Sequence, residues 1–480
     1  MNFTTGDTVI WILLISLLHL LGIFSAFKAV METRTSQGAI AWVIFLITFP
    51  YISLPIYWIL GRNKFRGYIT AKHMKDQKLE EELKNLLEEI KLYEVPVDEL
   101  SNTEAAAEKL AFSPILKGNA TELLIDGDRT FESILEGIAA AKSYILFQFF
   151  IVKDDGIGRR IKEALLAQAR EGIKIYFLYD EVGSHALSSA YLDALREEGV
   201  AVSAFHTQKG INNRFQINFR NHRKIVVIDG RFAWVGGHNV GDEYLGLSPK
   251  FGHWRDTHMK LEGPAVLMVQ LSFAEDWFWA TDRIIGDLFW EALSVSDADK
   301  QILVVPSGPA DTLETAALMF HHAINSAHER IWIASPYFVP DDAIIAALQL
   351  AGLRGVDVRI LIPDKADHLL VYLASFNYFS ELVRTGIRFF RYTDGFLHQK
   401  VMLIDDETAT IGTANFDNRS FRLNFEITCI VKDKAFASEV EAMLEEDFTH
   451  TYEMTMDDIQ KKPLWFNFAS KLARLTSPIQ

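Results

Sequence analysis

The stretch HRKIVVIDGRFAWVGGHN, residues 222–239, recurs in altered form as HQKVMLIDDETATIGTAN, residues 398–415. In both stretches a histidine, a lysine, an aspartate, a glycine and an asparagine stand at the same offsets. Four apolar residues follow each lysine and predict a β-strand. Because side chains two residues apart on a strand share a face, each histidine and its lysine are expected to point the same way. The repeat therefore indicates a duplicated site rather than two unrelated core histidines.

The chain around each stretch alternates predicted helices and strands in the same order. The first half reads as helix 131–142, strand 143–152, helix 156–172 and strand 173–180, and the second as helix 312–329, strand 330–340, helix 343–355 and strand 356–363. Apolar strands between amphipathic helices predict a buried, largely parallel sheet with helical cover. We therefore expect an α/β fold of two tandem βα halves, residues 121–300 and 301–480, related by a pseudo-twofold axis.

Two apolar runs, residues 8–30 and 38–60, precede these halves. As a helix, each would be roughly 35 Å long, which is enough to span a bilayer core. The short loop METRTSQ between them forces a hairpin. A cleaved signal peptide does not fit, because residues 1–7 contain no Lys or Arg and a second apolar run follows. Two buried core helices are the alternative to two transmembrane helices within residues 1–60.

A basic segment follows the hairpin. Residues 61–78 contain six Lys or Arg and one acid, which places this side of the membrane, both termini and the catalytic halves in the cytoplasm. The same segment is suited to the surface of an anionic lipid bilayer. Residues 79–110 read as a charged, solvated helix. Residues 61–120 are thus expected to be a linker on a multi-pass cell-membrane protein.

Charge and cysteine content exclude other classes. The formal net charge of −15 argues against a general nucleic-acid binder, which neutralises phosphates with Lys and Arg. Cys429 is the single cysteine, so no intrachain disulfide forms, and no Cys/His spacing suggests a zinc site. A reducing compartment is expected for the catalytic halves.

The side chains of the repeat suit phosphoryl transfer. Ammonium and amide groups hold phosphate oxygens as charge develops in the transition state. One histidine attacks phosphorus to give a phospho-histidine, and the other protonates the departing alkoxide. His and Asp also bind metals, but two lysines facing the same point would repel a cation and replace it. The predicted residues are His222, His398, Lys224, Lys400, Asn239 and Asn415, without a metal or cofactor.

Four carboxylates complete the prediction. An attacking imidazole needs a partner on its other nitrogen, and Asp256 and Glu426 are suited to orient the histidines. Surface charge is the alternative for both. Asp229 and Asp405 belong to the repeated catalytic motif, but each lies an odd number of residues from its histidine and so projects from the opposite face. For these two aspartates we favour a structural role at the turn.

With these motifs, the sequence resembles the phospholipase D superfamily and, within it, the bacterial cardiolipin synthases. The resemblance covers nearly the whole chain, and it rests on the two histidine stretches and on segments at 41–63, WRDTH (254–258), SPYFVPDD (335–342) and LARLTSP (472–478). The histidine stretches are specific to the superfamily, and the membrane segment with WRDTH and SPYFVP points to the synthases.

The resemblance implies transfer of a phosphatidyl group between two phosphatidylglycerol molecules in the membrane, giving cardiolipin and glycerol. It implies His222 as nucleophile and His398 as general acid and then base. Lys224, Lys400, Asn239 and Asn415 would bind phosphate, and Asp256 and Glu426 would support the histidines. Two positions depart from the family pattern: Thr413 replaces the commoner Ser, and His238 stands where an apolar residue is usual.

Alternatives share most of these residues. A hydrolytic phospholipase D, or a phosphatidyltransferase that uses serine or ethanolamine, differs only in the acceptor. A nuclease of the same superfamily is disfavoured by the hairpin and the acidic charge. An inactive membrane scaffold would be expected to lose a histidine or lysine, and none is lost. The sequence fixes neither the oligomeric state nor the acyl-chain preference.

Overall fold

The computed structural model describes residues 5–33, 35–61, 77–205, 218–296, 298–365 and 367–480. These residues form two compact units, one with the N-terminal helices and one with both catalytic halves. Each unit is described by itself. Most of the basic segment 61–78, from which we expected the membrane orientation, lies outside the described residues.

The N-terminal unit contains the helices Thr5–Glu32, Ser36–Thr48 and Pro50–Leu60. Among the described residues, one helix is long and apolar enough to cross a membrane, Val9–Glu32. The second apolar run is divided at Phe49, whose φ of −130° and ψ of 56° are not helical. A residue before proline is pushed out of the α region, so Pro50 ends one helix and begins the next. The expected hairpin is therefore supported only in its first span.

Small residues bring these helices close together. A Cβ on Gly22 would lie 2.5 Å from the carbonyl oxygen of Leu46, so only glycine fits there. Ala26, Ala29 and Leu54 are buried in the same cluster. Close packing through small residues is typical of helices that associate in lipid.

The linker forms two helices, Gln77–Ile90 and Asn102–Ala111. Ser101 caps the second helix in a capping box with Glu104. Strand β1 begins at Leu116, within the segment that we assigned to the linker.

The strands of the catalytic unit are β1 Leu116–Ile125, β2 Tyr144–Phe149, β3 Lys174–Asp180, β4 Ala201–Phe205, β5 Arg220–Asn221, β6 Ile225–Ile228, β7 Phe232–Gly236, β8 Trp254–Arg255, β9 Thr257–Glu262, β10 Lys300–Ser307, β11 Arg330–Ala334, β12 Phe338–Val339, β13 Asp357–Pro363, β14 Arg388–Tyr392, β15 Phe396–Leu397, β16 Val401–Ile404, β17 Thr408–Gly412, β18 Phe416–Asp417, β19 Asn424–Lys432 and β20 Thr451–Met454. The helices of this unit beyond the linker are Asp126–Ala140, Gly156–Arg170, Ser189–Glu197, Val266–Thr281, Thr315–Ser326, Asp342–Leu353, Leu369–Leu382, Asn418–Arg422, Lys434–Thr449, Met456–Gln460 and Leu464–Arg474.

The main sheet shows the duplication in its strand order. From one edge to the centre, the strands of the first half follow the order β4-β3-β2-β6-β7-β9-β1. The equivalent strands of the second half continue in the reverse order, from the centre to the other edge, as β10-β19-β17-β16-β11-β13-β14, and β20 is added at that edge. Strands β2, β3 and β4 are parallel to one another, as are β11, β13 and β14. The expected α/β fold with a pseudo-twofold axis is confirmed, and the axis passes between β1 and β10.

Two short parallel ladders join the halves away from the main path. Strand β5, just before the first histidine, pairs with the start of β19. Strand β15, just before the second histidine, pairs with β8. Each histidine is thereby attached to a strand of the opposite half.

Candidate active site

The structure brings the two histidines to the centre, each beside a carboxylate of the other half. His222 Nδ1 lies 2.9 Å from Glu426 Oε2, and His398 Nδ1 lies 2.7 Å from Asp256 Oδ2. The main chain follows the same crossing, because His222 N–H donates to Phe425 O and His398 N–H donates to Arg255 O. The two interdomain ladders thus fix both crossed pairs.

This pairing fixes the histidine tautomer. With Nδ1–H donating to a carboxylate, Nε2 keeps its lone pair for another partner. Lys400 Nζ also lies 2.8 Å from His398 Nδ1, but one nitrogen cannot donate to Asp256 and accept from lysine. Lys400 donates instead to the carbonyl oxygen of His398.

Hydroxyl groups hold Glu426 as a carboxylate. Thr413 Oγ1 donates to its Oε2 at 2.6 Å, and Ser420 Oγ donates to Oε1 at 2.8 Å. Burial alone raises a carboxyl pKa, but the nearby His222 and Lys224 outweigh it, and the pKa of Glu426 lies below its ordinary value. Thr413 and Ser420 therefore each hold one oxygen of this carboxylate.

Burial keeps both imidazoles neutral in the free site. It lowers the pKa of His222 to about 4, although the charge of Glu426 acts in the opposite direction. Burial and the charges of Lys400 and Lys224 hold the pKa of His398 well below its ordinary value. A neutral imidazole with an open Nε2 is the form that can act as a nucleophile.

The two lysines lie beside the histidines. Lys224 Nζ donates to the carbonyl oxygen of His222 at 2.6 Å, the same contact that Lys400 makes with His398. Burial lowers the pKa of Lys400 to about 8 and holds that of Lys224 well below its ordinary value. Among the described residues, no group of three or more His, Cys, Asp or Glu is arranged to hold a metal ion.

The two asparagines of the repeat are buried and differ in their contacts. Asn239 Oδ1 accepts from the N–H of Ile151, and its Nδ2 donates to Tyr244 Oη at 3.2 Å. Asn415 Oδ1 has no hydrogen-bond partner among the described residues. An unpaired buried amide oxygen is costly, so Oδ1 is suited to a donor group of a ligand such as a hydroxyl, and a phosphate oxygen would be bound through Nδ2.

Asp229 and Asp405 lie at the far ends of strands β6 and β16, in left-handed turns with φ of 54° and 49°. Asp229 accepts from the N–H groups of Lys142, Ser143 and Tyr144, each at 2.8 Å. Asp405 accepts from three N–H groups in the same way, those of His328, Glu329 and Arg330. Each carboxylate ties its strand to the start of a neighbouring strand.

Two further buried ion pairs support the site, and the sequence analysis did not single out their residues. Arg223, between His222 and Lys224, pairs with Asp276 at 2.8 Å. Arg255 pairs with Asp447 at 2.6 Å. Asp276 is buried in the mainly apolar helix Val266–Thr281, and an acid among apolar helical residues was a usable signal, since buried acids are almost always paired.

Comparisons with known proteins show similarity over nearly the whole chain. Residues 134–249 and 320–448 match the family model described as cardiolipin synthase, PLD-like domain, and residues 23–62 match the phospholipase D-nuclease N-terminal model. The cardiolipin synthase A of Pseudomonas entomophila is 49% identical over 469 residues, 97% of this chain and 98% of that protein. The cardiolipin synthase A of Pseudomonas aeruginosa is 47% identical over 480 residues, 99% of this chain and 97% of that one.

A solved structure supports the fold alone. The phosphatidylserine synthase of Haemophilus influenzae aligns with a TM-score of 0.55 at 15% identity, and covers 79% of this chain and 100% of that one.

Proposed function

Because the chain belongs to the cardiolipin synthase family of phospholipase D-like enzymes, we propose that it transfers a phosphatidyl group from one phosphatidylglycerol to another. The products are cardiolipin and glycerol. The observation that carries the proposal is the pair of buried histidines, each held by a carboxylate of the opposite half and each beside a lysine.

In the first step, His222 Nε2 attacks the phosphorus of the donor lipid. The bond from phosphorus to the oxygen of the headgroup glycerol breaks, and His398 gives its Nε2 proton to that oxygen. Lys224, Lys400, Asn239 and Asn415 hold the non-bridging oxygens, where charge develops. The result is a phosphatidyl-histidine and free glycerol.

In the second step the proton transfer runs in the opposite direction. A hydroxyl of the second phosphatidylglycerol gives its proton to His398 and forms a bond to phosphorus, while the bond from phosphorus to His222 breaks. His398 must therefore be protonated before the first step, although it is neutral in the free site. A bound phosphodiester supplies a negative charge that offsets Lys224 and Lys400, which raises the pKa of His398 when substrate arrives.

Products distinguish this proposal from its alternatives. Full-length protein in mixed micelles with labelled phosphatidylglycerol is expected to give cardiolipin and glycerol in equal amounts. Phosphatidic acid as the main product would show a hydrolase, and a product formed only with added serine or ethanolamine would show another transferase. His222→Ala should abolish turnover, and the exposed His328→Ala should leave it unchanged.

We also propose that the chain spans the membrane twice, with its catalytic unit on the cytoplasmic side. The first helix and the basic composition of residues 61–78 support this orientation. A C-terminal tag should resist protease added outside intact cells. External cleavage of that tag would refute the orientation.

A further inference from the structure

A shallow pocket, open to solvent, lies at the carboxyl ends of the parallel strands β11, β13 and β14. In open α/β sheets, ligands bind at this edge. The pocket walls include Tyr337, Lys365, Asp367, Tyr372 and Arg391.

Arg391 is a buried cation without a carboxylate partner. It is 3% exposed, and no carboxylate of the described residues is within ion-pair distance. Nη1 donates to the carbonyl oxygen of Pro363 at 3.0 Å, and Nε has no hydrogen-bond partner. Aromatic rings offset part of the desolvation, with Tyr372 and Phe376 centred 5.0 and 5.2 Å from the guanidinium carbon. A buried charge of this kind is suited to an anionic ligand.

The two halves of the fold differ at the position of this arginine. In β14, Arg391 pairs with Ile362 of β13, and the equivalent pair in the first half is Ala204 with Tyr179. The sheet therefore does not require a cation at this position. Lys365, on the loop after β13, is exposed and adds a second positive charge to the pocket.

The pocket borders the proposed catalytic centre. Tyr337 donates to Asp367, and the charge of Asp367 acts on Lys400 and on Tyr244. Tyr244 in turn contacts Asn239 and lies 6.4 Å, ring to ring, from His398. Of the described residues in the pocket wall, Asp367 is the one acid, and its hydrogen bond from Tyr337 engages part of its charge.

We propose that Arg391 and Lys365 bind the phosphodiester of the acceptor phospholipid. This inference rests on the proposed function, in which the acceptor hydroxyl belongs to a molecule that carries its own phosphate. Water, serine and ethanolamine carry no phosphate. A second anion site beside the catalytic centre thus selects phosphatidylglycerol as the acceptor.

The test compares acceptors with and without a phosphate. Full-length protein in mixed micelles receives a short-chain phosphatidyl ester of p-nitrophenol, which has no acceptor hydroxyl, with labelled glycerol, glycerol 3-phosphate or short-chain phosphatidylglycerol. The wild type should show a KM at least about tenfold lower for both phosphate-bearing acceptors than for glycerol, the gain expected from one charge-assisted hydrogen bond. Arg391→Gln should remove this preference and leave kcat with glycerol within about threefold.

Two variants separate binding from folding. Arg388→Gln changes an exposed arginine of the same strand, which pairs with Glu453, and should alter no acceptor preference. Lys365→Gln changes an exposed pocket residue and should weaken the preference about threefold without altering the melting temperature. Equal losses with all acceptors in Arg391→Gln, or an unchanged preference in both pocket variants, would overturn the proposal. So would a preference for glycerol 3-phosphate that phosphatidylglycerol does not share, because the pocket would then serve free phosphate esters. Wild-type protein that forms no cardiolipin would instead refute the proposed function, whatever its acceptor preference.

An independent observation concerns the helix Leu464–Arg474. One face, with Phe466, Ser470 and Ala473, is buried, and Phe466 packs on Phe376 of the helix Leu369–Leu382. A second face is apolar and exposed, with Trp465 at 68% and Phe468 at 70% exposure and with Leu464, Leu472 and Leu475 beside them.

Basic residues flank this exposed face. Lys471 and Arg474 stand in the last helical turn, and Lys461 and Lys462 precede the helix. Aromatic and leucine side chains beside Lys and Arg are typical of helices that lie in the interface of an anionic bilayer. We infer that this helix is inserted in the surface of the bilayer that contains the substrate.

A fluorescent probe tests this insertion. Cys429 is buried, which raises the pKa of its thiol to about 12, so a thiol reagent labels an introduced cysteine selectively. In full-length protein reconstituted into vesicles that contain phosphatidylglycerol, an environment-sensitive probe at Phe468→Cys should be quenched by brominated lipids. The probe at Asn467→Cys, on the polar side of the same helix, should be quenched less. A blue-shifted probe at 468 without quenching would assign the face to a protein surface, and an aqueous spectrum would leave it in water; either result overturns the inference.

Discussion

The crossed histidine–carboxylate pairs predict which step each carboxylate supports. Asp256→Asn removes the charge beside His398, and Glu426→Gln removes the charge beside His222. All four side chains are buried, so solvent screens neither pair. A hydrogen bond to a charged group contributes about 1.5–3 kcal/mol, which corresponds to a rate loss of roughly 10- to 150-fold.

The assay compares two short-chain donors, phosphatidylglycerol and the p-nitrophenyl ester. An aryloxide leaves without a proton, so the first step with the ester depends little on the general acid. Asp256→Asn should therefore slow the reaction of phosphatidylglycerol by this whole factor, and the burst of p-nitrophenolate from the ester should change little. Glu426→Gln should slow the reactions of both donors, because the nucleophile His222 loses its carboxylate partner.

The opposite pattern would refute the crossed assignment. If Asp256→Asn slowed both donors and Glu426→Gln spared the burst, then each carboxylate would act on the histidine of its own half, or the two histidines would exchange roles. Trapping the labelled phospho-enzyme at His222 or His398 separates these two explanations. Asp457→Asn, at an exposed aspartate, is the control, and melting temperatures verify folding.

The remaining predictions concern pH, stability and metal. The value of kcat/KM should fall above about pH 8, because the positive charge of Lys400 is present below its pKa of about 8 and lost above it; a pH profile that is flat to pH 10 would contradict this. Melting temperature should fall as pH drops from 6.5 toward 4, because His222 and His238, with pKa values of about 4 in the folded protein, bind protons more readily when unfolded; scanning calorimetry checks this. Asp229→Asn should lower stability by about 1–3 kcal/mol through its three N–H partners and leave kcat of the folded enzyme within about threefold. Chelator should not abolish activity, and full restoration by one divalent metal would contradict the role given to the lysines.

Much of the fold follows from local sequence. The strands after Lys224 and Lys400 form as the apolar runs predict, and the parallel βα units recur in both halves. The turn aspartates also follow, because a residue at positive φ favours Asp. The second apolar run, by contrast, is divided at Pro50 into two short helices, where its composition predicted one span.

The pairing of each histidine with a carboxylate of the opposite half, and the proposed second phosphate site, could not be predicted in this way. His222 and Glu426 are 204 residues apart, and His398 and Asp256 are 142 apart, so no local period relates them. Their meeting depends on the two-residue strands β5 and β15, which are too short to give a sequence pattern. Arg391 reads as an ordinary polar residue in RFFRY, and only the packing of the helix Leu369–Leu382 over it makes it a buried cation.

The ladders that join β5 to β19 and β15 to β8 have a consequence for how this chain can change over generations. After a gene duplication, one copy is usually free to decay while the other keeps the activity. Here a substitution that displaces Asp256 in the first copy removes the partner of His398 in the second. Likewise, a substitution that displaces Glu426 in the second copy removes the partner of His222 in the first. Neither copy can therefore become a redundant spare. Separately expressed halves should each be inert, and activity should return only when the two are mixed and assemble.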